Sequence, residues 1–305
     1  MDELRDRGHL STERRNEATA RLHELSVSEC VEIIGDEDLK VLEALRDGRS
    51  GLISLIQDAE PRFLRGGRLI YLGAGTSGRL GVLDASEAPP TFCVPQGRVI
   101  GIIAGGDGAL RISSEGMEDD PDGAREELVR LGLTENDTVI GIAAGGTTPY
   151  PRGALRIAKE LMPECLTGFL TCVTVEIPKH CDHMVMLPTG PEVLTGSTRM
   201  KAGTATKLAL NTISTTLMIR AGRVYENLMV DVRATNDKLR DRAARIISQL
   251  TELSRNQAFE ALDAAGGEVK VAIVMQRKRV DASEARALIE RVSGRLGDIL
   301  DGSTA

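Results

Sequence analysis

Tryptophan is absent from this 305-residue chain, and aromatic residues of all kinds make up 2% of it. Stacking platforms for bases or sugar rings are therefore scarce. Basic charge is not in excess either: 38 Lys and Arg stand against 45 Asp and Glu, for a net charge of -7. Without a basic field to neutralise phosphates, a general nucleic-acid role is excluded, although one anionic ligand held by local donors is compatible with that balance. No run of about 18 apolar residues occurs, so no membrane span is expected. The first thirty residues are charged and lack the apolar stretch of a signal peptide. The five cysteines are odd in number and irregularly spaced, which suits reduced thiols and a cytoplasmic protein. His180-Cys181-x-His183 brings metal-ligating side chains together, but neither a CxxC nor an HExxH string accompanies it, so no metal is expected.

What is present is an alternation of short apolar runs and helical patterns. Asp36 to Glu60 carries leucines and isoleucines at helical spacing, with Pro61 and Gly66-Gly67 as stop signals. Strands are predicted at Arg68–Leu72, Arg98–Ala104, Thr138–Ala144, Leu166–Val175 and His183–Leu187. Helices are predicted between them at Arg79–Ser86, Leu110–Leu131 and Pro149–Leu161, and a long one at Thr198–Ala221 with Gly222 as its cap. This order implies an α/β fold, a doubly wound parallel sheet flanked by helices. From Asn236 onward the pattern becomes short amphipathic helices, read as a small C-terminal helical bundle. The expected domains are an N-terminal helical arm over 1–60, a ligand-binding α/β domain over 61–235 and a helical domain over 236–305.

In such sheets ligands gather beyond the carboxyl ends of the strands. The first strand runs into Gly73-x-Gly75-x-x-Gly78, the spacing of a dinucleotide-binding loop. That reading needs an acidic residue at the end of the second strand to hold a ribose, and Gly105-Gly106 stands there instead. Thr76 and Ser77 place hydroxyl donors within the loop, which suits a monophosphate at a helix N-terminus. A purely structural turn is the bland alternative. Two further hydroxyl-rich loops, with Thr147-Thr148 and with Gly196-Ser197-Thr198, speak for a small phosphorylated ligand. Thr76, Ser77, Gly78, Thr147, Ser197 and Thr198 are the candidate binding residues, with ordinary helix capping as the alternative for Ser197 and Thr198. Arg79 and Lys201 either add positive charge or serve elsewhere.

These strings resemble the N-acetylmuramic acid 6-phosphate etherases, a family built on the sugar isomerase (SIS) domain. The resemblance runs through most of the chain: YLGAGTSGRLGVLDASEAPPTF at 71–92, EGMED at 115–119, GIAAGGTTPY at 141–150, GPEVLTGSTRMKAGTATKLALN at 190–211 and NLMVDVRATNDKL at 227–239, with Thr12-Glu13 and Arg15-Asn16 before them. It implies a cytosolic homodimer that removes D-lactate from C3 of the phosphorylated amino sugar, in peptidoglycan recycling, without metal or redox cofactor. Its two catalytic glutamates fall on Glu87 and Glu118. Glu115, three residues before Glu118, is a candidate for a sugar hydroxyl. One departure stands out: family members often carry Ala-Ser-Gly-x-Thr-Pro after the third strand, and this chain has Gly145 at the Ser position. Residues 173–181 also depart from the expected pattern and are assigned no role.

Two carboxyl groups suit the implied reaction. The aldehyde of the open-chain sugar acidifies the C2 proton; one group removes it and the other protonates the departing lactate oxygen. Their environments must separate their pKa values. Read as a helix end stopped by Pro89 and Pro90, Glu87 would face the negative end of the dipole and act as the acid, leaving Glu118 as base. Were Gly78 to Glu87 one straight helix, its ends would lie about 13 Å apart, so either the helix bends and stops early or, the favoured reading, the site is shared between two subunits. The competing functions are an aldose–ketose isomerase on the same scaffold and a sugar-phosphate sensor like the vertebrate glucokinase regulatory protein.

Overall fold

The computed structural model describes residues 8–232 and 236–302. It divides into two compact units, Met1–Ser86 with Gly97–Ser214, and Glu87–Gln96 with Thr215–Ala305.

In the first unit α1 (Val27–Asp38), α2 (Lys40–Asp47) and α3 (Arg49–Leu64) precede the sheet. Then follow β1 (Leu69–Gly73), α4 (Gly75–Phe92), β2 (Val99–Ile103), α5 (Arg125–Leu131), β3 (Thr138–Ile142), α6 (Pro149–Leu161), β4 (Leu166–Thr171), β5 (His183–Met186) and α7 (Lys201–Arg220), the last residues of α4 and α7 being assigned to the second unit. All five expected strands form, in the order β2-β1-β3-β4-β5 and all parallel. Continuous burial along β1, β3 and β4 explains their unbroken apolar runs.

Glycines show which helix covers which face. A Cβ on Gly101 would meet the α4 backbone at Val82, and one on Gly168 the side chain of Leu55 in α3. A Cβ on Gly141 would meet the carbonyl of Pro151 in α6. Gly168 pairs with Ile140 and Gly141 with Phe169, and neighbours along a strand face opposite sides. So α3 and α4 lie on one face and α6 on the other. The core on the α6 side joins Ile70, Leu72, Val139 and Phe169 to Leu128, Ala154 and Leu155.

Several helix boundaries differ from the sequence expectation. The 36–60 helix is three helices, and α3 runs through Pro61 to Leu64. Its first turns lie so close to β5 that a Cβ on Gly48 would sit 2.6 Å from the Met186 carbonyl oxygen, and one on Gly51 2.4 Å from that of Met184. The expected helix at 110–131 is mostly loop, with α5 as its only α-helical part. Ser113-Ser114, Gly116, Pro121 and Gly123 interrupt it. Helix α4 does not end at Ser86: it continues through Pro89 and Pro90 to Phe92. Proline has no N–H, so the carbonyls of Ala85 and Ser86 lose their helical partners, yet the helix persists.

The second unit has its own core, with Ala243, Ile247, Leu262, Ala272 and Ile273 at its centre. Among its described residues are a two-residue-per-strand hairpin, β6 (Val224–Tyr225) and β7 (Leu228–Met229), and the helices α8 (Asp237–Thr251), α9 (Arg255–Ala264), α10 (Val269–Lys278), α11 (Ala282–Arg291) and α12 (Leu296–Leu300). Among the described residues no helix is long and apolar enough to cross a membrane.

Candidate active site

The order β2-β1-β3 makes the gap between β1 and β3 the place where the chain reverses its winding, and ligands of doubly wound sheets sit beyond it. A cavity of about 250 Å³ lies there. Its floor is the ends of the two strands, Ala74 and Ile142–Gly145. Gly75, Thr76 and Ser77 from the first turn of α4 form one wall, and Thr147 and Thr148 before α6 another. Glu118, Thr198, Glu13 and Leu10 complete it.

The α4 wall is a ready anion site. Gly78 donates its N–H to the Ala74 carbonyl, 3.2 Å away. The N–H groups of Gly75, Thr76 and Ser77 precede that bond and have no partner within the helix. They carry the positive end of the dipole of an 18-residue helix. Gly75 adopts φ +51°, the left-handed conformation that turns the strand into the helix. Thr148 is the N-cap of α6 but makes no side-chain cap, and Pro149 at the first helical position has no N–H to satisfy. No Lys or Arg lines this cavity among the described residues. An anion here would therefore rest on neutral donors and the helix terminus.

Glu118 is held over the cavity by backbone, not by a helix of its own. Its carbonyl accepts the N–H of Tyr150, 3.0 Å away. Three residues on, Pro121 rests against α6 where Gly153 leaves no room for a side chain, since a Cβ there would lie 1.8 Å from the Pro121 carbonyl oxygen. Arg156 of α6 binds Asp122 at 2.8 Å and fastens the same stretch.

The other expected residues are distributed as follows. Thr76, Ser77, Thr147, Thr198 and Glu118 share the cavity. Gly78 does not line it: its N–H is used, and a Cβ on it would meet the Gly73 oxygen at 2.5 Å, so it serves close helix–strand packing. Ser197 is outside the lining; its N–H donates to the Leu194 carbonyl and its carbonyl accepts from Met200. Neither Ser197 nor Thr198 caps α7. The buried carboxylate of Glu192 does so, accepting the N–H groups of Lys201 (3.0 Å) and Ala202 (2.9 Å). Burial raises the Glu192 pKa in spite of those two bonds. Lys201 is fully buried and paired with Glu37, away from the cavity. Arg79 donates to the carbonyls of Ala109 and Leu110, fastening the loop after β2. The side chain of Glu115 lies outside the described residues, and the shared helix face proposed for Glu115 and Glu118 does not exist, because 115–117 form a 3₁₀ turn and 118 lies in a turn beyond it.

Glu87 is exposed on α4 and belongs to the second unit. Because α4 runs on to Phe92, Glu87 does not meet a helix C-terminus, and the dipole argument for Glu87 as the acid falls. One turn before it, Asp84 is buried and accepts bonds from Tyr71 Oη (3.0 Å), Asn211 Nδ2 (2.8 Å) and Ser214 Oγ (3.1 Å). Burial raises its pKa against those three donors. Asp84 thus ties α4 to β1 and α7.

Sequence reasoning passed over Glu13 and Thr148 as site residues. Glu13 lies in a 3₁₀ turn far from the sheet in sequence, and only its place in the Thr12-Glu13 string marked it. Beside it, Thr12 is fully buried with its hydroxyl unpartnered, and lies 3.7 Å from where a Cβ on Gly145 would stand. The Gly145 position therefore has room for a side chain. Among the described residues no three His, Cys, Asp or Glu side chains gather as a metal site; His183 pairs with Asp58.

Comparison with known proteins agrees with the fold. A profile described as the N-terminal SIS domain of glucokinase regulatory protein matches residues 52–159, and one described as that protein's C-terminal lid domain matches 226–266. An N-acetylmuramic acid 6-phosphate etherase of Gloeobacter violaceus is 50% identical over 298 residues, 97% of each chain. Etherases of the same name are 48% identical in Picosynechococcus sp. (97% of this chain, 98% of that one) and in Bacillus licheniformis (94% of each).

Proposed function

We propose, from the premise that the chain belongs to the N-acetylmuramic acid 6-phosphate etherase family, that it cleaves the C3 lactyl ether of N-acetylmuramic acid 6-phosphate. The products are N-acetylglucosamine 6-phosphate and D-lactate. The observation that carries this reading is the presence of Glu118 in the same cavity as the first-turn N–H groups of α4. Those groups, with Thr76 and Ser77, hold the phosphate; Thr147, Thr148 and Thr198 are donors and acceptors for sugar hydroxyls.

The reaction is an elimination followed by an addition. Glu118 takes the C2 proton while the C3–O bond breaks, and a second carboxyl group protonates the departing lactate oxygen. Water then adds at C3 with the roles reversed. Proton transfers are all this requires of the protein, so no cofactor is invoked. The second carboxyl group is Glu87. In this reading it serves the substrate of a partner subunit in a homodimer, and the soluble substrate fits a cytoplasmic enzyme. Glu13 in the cavity is placed to accept a sugar hydroxyl.

Incubation with N-acetylmuramic acid 6-phosphate in deuterated, oxygen-18-labelled water tests the reading. Free D-lactate, deuterium at C2 and oxygen-18 at the C3 hydroxyl are expected. Deuterium exchange or ketose formation without lactate would establish an isomerase instead; tight binding without turnover would establish a sensor.

A further inference from the structure

A second cavity of about 660 Å³ adjoins the first in the same unit: Leu10 and Thr147 line both. Its walls carry Arg14, Arg152 and His9 against one carboxylate, Glu176. Neither Arg14 nor Arg152 has an ion-pair partner among the described residues. The contrast within α6 is direct. Arg156, one turn on from Arg152, is satisfied by Asp122 and Glu160. Arg152 is half-buried and turned into the cavity instead. A guanidinium partly removed from water and given no anion by its own chain costs free energy that a bound anion would offset.

The first cavity has donors for a phosphate but no cation, and the second has cations beside it. We propose that Arg14 and Arg152 form the subsite for the carboxylate of the substrate's lactyl ether, an inference that rests on the etherase reading above. The substrate is a dianionic ligand in two places, with a phosphate at C6 and a carboxylate on the C3 substituent. With the phosphate on the first turn of α4, the C3 substituent passes Thr147 into the second cavity. The planar fork of an arginine matches a carboxylate with two parallel N–H···O bonds. The product sugar has lost that carboxylate, so the subsite sorts ether substrate from product without touching the reacting atoms. It also gives Thr174–Glu176, in the stretch after β4, a place beside the substrate: this stretch walls the subsite, and Glu176 limits its positive charge.

The test uses the full-length enzyme with Arg14→Gln, Arg152→Gln, the double variant and Arg152→Lys. Each is assayed on N-acetylmuramic acid 6-phosphate and on the analogue whose lactyl carboxylate is a carboxamide. Each single Gln variant is expected to raise KM for the carboxylate substrate about tenfold, and the double variant up to about a hundredfold, by the usual worth of bonds to a charged group. KM for the carboxamide and the inhibition constant of N-acetylglucosamine 6-phosphate should stay within about twofold, since neither offers the carboxylate. Arg152→Lys, which keeps charge without the fork, should fall between. The subsite is overturned if the double variant still prefers the carboxylate, or if affinity for N-acetylglucosamine 6-phosphate falls in parallel with substrate affinity, which would mean the arginines hold the phosphate or the scaffold. Lactate release by the unmodified enzyme tests the etherase reading separately: if it is absent, that reading falls, and calorimetric binding of the carboxylate and carboxamide compounds decides the subsite by the same preference.

Discussion

Gly153→Ala tests how Glu118 is held. The new Cβ would stand 1.8 Å from the Pro121 carbonyl oxygen and 2.6 Å from its carbon. Real Cβ contacts essentially never fall under 3.0 Å, so that oxygen must retreat by about 1.2 Å. Both neighbours are backbone, so no side-chain rotation relieves the clash. Helix α6 is packed on β1, β3 and β4, and the loop is the softer partner. Overpacking of this kind costs about 1–3 kcal/mol, less the ~1 kcal/mol that Ala gains over Gly in a helix. The net cost of about 0–2 kcal/mol lowers Tm by about 0–6 °C in a chain of this size. Activity should suffer more. Glu118 lies three residues before Pro121, and displacement of a reacting group by about 1 Å can cost a hundredfold in rate. The assay is D-lactate release, with kcat and KM determined separately, beside a thermal melt. The expected result is a kcat reduced about tenfold to a hundredfold, with the affinity for N-acetylglucosamine 6-phosphate nearly unchanged, because the proposed phosphate site is on α4. A normal Tm with normal kcat would refute the close packing of the loop on α6. A lowered Tm with normal kcat would refute the role of Glu118.

Other outcomes follow from the same contacts. Glu192→Ala should destabilise by about 2–3 kcal/mol in chemical denaturation, because it leaves the N–H groups of Lys201 and Ala202 buried without their charged acceptor. For Asp137, burial raises the pKa, but bonds from Arg68 and from the N–H of Thr134 outweigh it and hold the carboxyl below the usual range. Its contribution to stability is then complete above the unfolded pKa and is lost as pH falls through the lower folded value. Arg68→Ala should cost about 3 kcal/mol at neutral pH and move the acid-unfolding midpoint upward. Burial pushes the Cys172 thiol up to about 12, so it should resist an aromatic disulfide reagent at pH 8 until the protein is unfolded. Mixed dimers of Glu87→Gln subunits with Glu118→Gln subunits should recover part of the activity that each homodimer lacks; an inactive, verified heterodimer would refute the shared site.

The strands were legible because a parallel sheet buried on both faces demands unbroken apolar runs, and each of these ends in glycine or in residues that must turn. Thr76 and Ser77 were legible for a related reason: a strand, a positive-φ glycine and two hydroxyls in succession have few other uses. What was hidden depends on contacts remote in sequence. Nothing local tells that Glu192 caps α7, or that Lys201 is buried against Glu37, 164 residues away. The 110–131 stretch has helical spacing, but its backbone is claimed by α6 through Tyr150 and Gly153, and that tertiary demand overrides the pattern. Glu13 sits in an arm with no strand or helix period, so only the fold brings it to the cavity.

Pro89 and Pro90 bear on the chemistry as well as the fold. As a helix stop they would have provided a dipole reason for Glu87 to be the acid. In the continuous α4 that reason is gone, and in the proposed reaction the difference between the two glutamates must come from where each meets the substrate. Glu118 lines the same cavity as the first turn of α4. Glu87, exposed in its own chain, acquires a distinct environment only when another surface covers it. A partner subunit that covers that carboxyl would set it apart from Glu118. The acid–base division would then be a property of the dimer, and a pH–rate profile should lose its acidic limb in Glu118→Gln and its basic limb in Glu87→Gln. Loss of the same limb in both variants would refute the division.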